Sequence, residues 1–81
     1  MSYGFLKLEG SPPLAGPVEH VGDMILLRTR SDMTKAEFAE LHEGHLETNG
    51  MIERIALESS EISQDGRYST DLTLRRLPPE A

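Results

Sequence analysis

The chain has 81 residues with no Cys or Trp and only two Phe and two Tyr, so it has room for one core, built from Leu, Ile, Met and Val. The absence of thiols excludes disulfides, thiolate catalysis and cysteine-based zinc sites, which makes a cytoplasmic setting the expectation. Fourteen acidic against eight basic side chains give a net charge of −6, which opposes a nucleic-acid phosphate backbone and favours a protein partner with a basic surface. No stretch reads as a signal peptide or approaches the roughly 18 apolar residues of a membrane span, so no membrane role is expected.

Tyr3 to Glu9 alternate loosely, with Tyr3, Phe5, Leu6 and Leu8 apolar, and read as a short strand. Residues 10–17, Gly-Ser-Pro-Pro-Leu-Ala-Gly-Pro, deny both helical and ladder hydrogen bonding and read as a loop. Met24-Ile25-Leu26-Leu27 followed by Arg28-Thr29-Arg30 reads as a central strand covered on both faces. Ser31-Asp32-Met33 turns the chain.

The spacing then predicts a helix from Thr34 to Asn49. Thr34-Lys35-Ala36-Glu37 fits a capping box, and Asn49-Gly50 supplies a residue pair suited to a helix end. Phe38, Leu41, His42 and His45 fall on one stripe, while Glu37, Glu40, Glu43 and Glu47 form an acidic face turned to water.

Met51 to Ser63 and Arg67 to Leu77 flank Asp65-Gly66, a strong hairpin signal. A two-residue turn there sets Leu57 opposite Leu74, Ser59 opposite Leu72 and Ser63 opposite Tyr68, with Glu58 facing Thr73 and Ala56 facing Arg75 on the other side. That register gathers the leucines on one face. Residues 78–81 form a tail. The expected fold is therefore α+β, a single domain over residues 1–81. One amphipathic helix packs on a three- to four-stranded antiparallel sheet in the order β-β-α-β-β.

Candidate chemistry is sparse. His42 and His45, three residues apart on one helix face, could share a metal with His20 or act as acid/base beside Glu43 or Glu47. Three histidines alone are too few for most metal sites, and His-Glu-Gly-His is not the zinc motif whose ligands lie four apart. No serine sits in a nucleophile elbow, and Gly10, Gly16 and Gly22 lack phosphate-loop spacing. The expectation is thus no catalytic residue, no metal and no cofactor.

Met24 to Arg30, followed by Met33-Thr34-Lys35-Ala36-Glu37-Phe38, a helix histidine and Gly50-Met51-Ile52-Glu53-Arg54, resembles the opening of EthD-like dimeric α/β-barrel proteins. The resemblance covers residues 24–58. It implies a ferredoxin-like sheet, a barrel formed by homodimerisation, and His42 at the position nearest the family's helix histidine.

Two functions follow as expectations. The first is a small acidic, non-enzymatic interaction module of bacterial or viral type: a regulator, an inhibitor or an assembly component. It binds a basic protein through Glu37, Glu40, Glu43 and Glu47 or through a sheet edge. The alternative is a dimeric small-molecule-binding protein or enzyme with His42 or His45 as acid/base.

Overall fold

A computed structural model describes residues 2–62 and 68–78. Among these residues are six strands and one short helix. In chain order these are β1 (Ser2–Leu8), β2 (Leu14–Val21), β3 (Met24–Thr29), α1 (Lys35–Ala39), β4 (Glu43–Thr48), β5 (Met51–Ile62) and β6 (Thr70–Arg76). The strands pair antiparallel in the order β1-β2-β3-β6-β5-β4, and β4 returns to β1 to close a barrel. The α+β arrangement expected from the sequence is therefore replaced by a β-barrel.

The largest correction concerns residues 34–49. Only Lys35–Ala39 are helical, held by the expected capping box: the Thr34 hydroxyl accepts from the Glu37 N–H and the Glu37 carboxylate from the Thr34 N–H. After Glu40 the burial period changes from helical to two. Gly44, Leu46 and Thr48 point inward, while Glu43, His45 and Glu47 point outward. Here β4 closes the barrel by pairing with β1 on one side and β5 on the other, which a helix cannot do. Gly44 also weakens a helix by about 1 kcal/mol relative to Ala. Asn49-Gly50 is the two-residue turn of the β4–β5 hairpin, with φ of 50° and 79°, rather than a helix end.

Three smaller differences follow from the same closure. The stretch read as a loop at 10–17 already enters β2 at Leu14. Pro17 is accommodated because β2 pairs with β3 only from Val18 onward, so at position 17 it has a ladder partner on one side alone. β3 is not covered on both faces: Ile25, Leu27 and Thr29 are buried while Leu26 and Arg28 face out. In the β5–β6 pair, Leu57 faces Leu74 and Ala56 faces Arg75 as expected. A bulge at Glu58 then shifts the remainder, setting Ser59 opposite Thr73 and Ser60 opposite Leu72. The Asp65-Gly66 turn and the Ser63 to Tyr68 pairing lie outside the described residues.

Every strand sends alternate apolar side chains into the barrel: Leu6 and Leu8, Leu14 and Val18, Ile25 and Leu27, Leu46, Ile55, Leu72 and Leu74. Phe38 of α1 and Leu41 just beyond it join this core. A five-residue helix is too short to persist alone, so its stability comes from this insertion. Each such side chain contributes about 1.5–3 kcal/mol of burial.

Candidate functional site

The closed ring fixes which side chains meet on the outside. Glu37 belongs to the α1 cap, and Glu40 is the C-cap residue of the same helix. Glu43 opens β4 and pairs with Arg54, Nη2 to Oε1 3.3 Å. Glu47 lies further along β4 on the outer surface. The four carboxylates therefore share no helical stripe: Glu37 and Glu40 lie on and at the end of α1, Glu43 and Glu47 on β4.

The histidines are also dispersed. His42 lies between α1 and β4, where its carbonyl accepts a 2.6 Å bond from the Leu57 N–H. His45 faces outward on β4 between Lys7 and Arg54, and His20 lies on β2 opposite Ile25. All three are exposed. Among the described residues no three His, Asp or Glu side chains come together in a metal-binding group.

Strand register builds a continuous outer wall across β1, β4 and β5. Phe5 faces Glu47, which in turn faces Ile52. Tyr3 extends this row along β1, its ring meeting that of Phe5 edge-on with centroids 5.7 Å apart. Tyr3 is 55% exposed, Phe5 58% and Ile52 66%. Side chains of this size normally turn inward on a barrel strand, so their grouping marks a surface that gains by being covered.

Charge is distributed unevenly over this exterior. Arg28, Arg54, Arg75 and Arg76 are paired with Asp71, Glu43, Glu58 and Glu53. Glu47 forms no ion pair or hydrogen bond among the described residues. In the adjoining row Lys7, His45 and Arg54 stand side by side, but Glu43 and Glu47 on β4 border them and offset their charge.

A second feature comes from unequal strand lengths. β4 covers β5 only as far as Ala56, with the Leu57 to His42 bond as the last link. Beyond it, Ser59–Ile62 pair with β6 on one side, and on the other Ser59, Ser60 and Glu61 line a groove with Lys35, Phe38 and Ala39.

Sequence reading missed the outer wall, although a signal for it exists. Phe5-Leu6 and Met51-Ile52 are adjacent apolar pairs, and in a strand with one buried face one member of each pair must face outward. No family model, curated protein or solved structure matches the chain. The EthD-like resemblance of residues 24–58 thus rests on its quoted motifs alone. Among the described residues no helix is long and apolar enough to cross a membrane.

Proposed function

We propose that the chain is a non-enzymatic protein-interaction module that docks its partner on the outer wall of β1, β4 and β5. The observation that carries this reading is the row Phe5–Glu47–Ile52, extended by Tyr3, in which one unpaired carboxylate stands between large exposed apolar side chains. Covering the row with an apolar surface strips water from Glu47, a cost of several kcal/mol unless the partner supplies a cation. The fitting partner is therefore a protein face with a Lys or Arg set among apolar side chains. Aromatic side chains such as Tyr3, and a partner's Arg, are the residue types enriched in interface hot spots. This keeps the expectation of a basic partner but moves the contact from a helix face to a barrel wall.

A photo-crosslinking amino acid at Ile52, compared with one at Thr73 on β6, outside the β1-β4-β5 wall, tests the reading in the native host. The expected result is a discrete adduct from position 52 that disappears on Glu47→Lys, with none from position 73. Equal adducts from both positions, or an adduct indifferent to Glu47→Lys, overturn it.

A further inference from the structure

We infer that the free edge of β5, Ser59–Ile62, accepts an extended segment of a partner protein bearing Lys or Arg as an added strand. This site is separate from the outer wall and does not depend on it.

The backbone provides the first argument. β5 runs for 12 residues and β4 for 6, so the barrel closes along only part of β5. Past Leu57, the side of β5 turned away from β6 has no strand partner among the described residues. An edge of unpaired N–H and C=O groups is a template for strand addition, which supplies affinity through main-chain bonds.

The groove beside that edge supplies the second argument. Phe38, Ala39 and Leu57 provide apolar lining between α1 and β5, and Ile62 at the far end of the edge is 46% exposed. Alternate side chains of an added strand would find apolar contact there, as strand recognition requires.

Charge selects the occupant. Glu61 on the edge and Glu40 at the end of α1 form no ion pair among the described residues, whereas Glu58 is already held by Arg75. Among the described residues Lys35 is the one cation lining the groove. A second copy of this chain would bring its own Glu58 and Glu61 to the same edge, placing like charges across a strand pair. A basic extended segment brings no like charge and gains from Glu61, which lines the groove, and from Glu40, next in the chain to the lining residue Ala39.

The test uses the intact chain and two synthetic peptides, Thr-Val-Lys-Val-Lys-Val-Thr and its counterpart with Glu at both Lys positions. Amide hydrogen exchange and a binding titration are read for each. The lysine peptide is expected to slow exchange within Ser59–Ile62 and to bind about tenfold more tightly than the glutamate peptide. The double variant Glu40→Lys/Glu61→Lys, checked for a native circular dichroism spectrum, is expected to reverse that preference. Glu47→Lys is expected to change neither result, which separates this site from the outer wall. Equal affinity for the two peptides, protection outside Ser59–Ile62, or protection that grows with protein concentration without peptide overturns the inference.

Discussion

Thr29 and Thr70 stand directly opposite each other on β3 and β6, both almost wholly buried, yet only one has a use for its hydroxyl. Thr29 Oγ1 donates to the Ala15 carbonyl at 2.8 Å, tying the end of β3 to the start of β2 where the two strands are not yet laddered. Thr70 Oγ1 finds no hydrogen-bond partner among the described residues. Valine has the same shape without the hydroxyl, so it separates the two cases. Thr29→Val should cost about 1 kcal/mol, the net worth of a hydrogen bond. Thr70→Val should be neutral or stabilising by up to about 1 kcal/mol, because a buried unpaired hydroxyl is removed. Urea unfolding midpoints in the order Thr70→Val, wild type, Thr29→Val would bear this out; the reverse order would not.

Phe38 is the one aromatic side chain in the core and the anchor by which α1 is held. Its truncation to Ala removes the packing that lets five helical residues persist. The expected loss is about 3–5 kcal/mol, a large share of the roughly 5–15 kcal/mol that a domain has. Thermal melts should show a lowered midpoint together with faster amide exchange in residues 35–41. A midpoint within a degree or two of wild type would mean that the barrel closes without the helix.

Two glycines separate steric from conformational need. A Cβ on Gly16 would run into the Arg28 carbonyl oxygen, a clash between two backbones of the barrel wall that no side-chain rotation relieves. Gly22, in the β2–β3 turn, has open space around it but a φ of +63°, which suits glycine. Gly16→Ala should therefore cost more than about 3 kcal/mol, near the limit of what overpacking does, and yield little folded protein. Gly22→Ala should fold with a loss of about 1–2 kcal/mol, the left-handed penalty of an L residue. Comparable stabilities would show that the wall near Gly16 can yield.

What the sequence made legible was mostly local. The Thr34–Glu37 capping box, the strands at both ends and the facing of Leu57 with Leu74 follow from short-range signals, and the structure contains them. Closure is not a short-range property. Leu46, wholly buried, lies outside the stripe of Phe38, Leu41, His42 and His45 on which the helix reading rested, and it belongs instead to an alternation with Gly44 and Thr48. Asn49-Gly50 serves equally well as a helix end and as a hairpin turn, and only the pairing of Thr48 with Met51 decides between them. The acidic residues were recognised, but their grouping depended on the helix and dissolved with it. The β5 overhang could not be read at all, since it is a difference between two strand lengths and is set by where β4 begins.

Glu47 provides the sharpest separation of folding from binding. In the free protein its carboxylate stands between Phe5 and Ile52 across two strand pairs and gains no ion pair among the described residues. Apolar cross-strand neighbours on one face are each worth about 0.2–1 kcal/mol relative to small residues, and a carboxylate contributes little of this. Glu47→Val completes an apolar row in a strand that favours β-branched residues, so the variant should be more stable than wild type by about 0.5–1 kcal/mol. The same change removes the charge that the partner's cation answers, so the Ile52 crosslink should be lost while the melting temperature rises. A stabilised variant that still crosslinks would leave the apolar wall as the contact but remove the need for a basic partner. A destabilised one would show that Glu47 serves the fold, and the wall would then lose its claim as a docking surface.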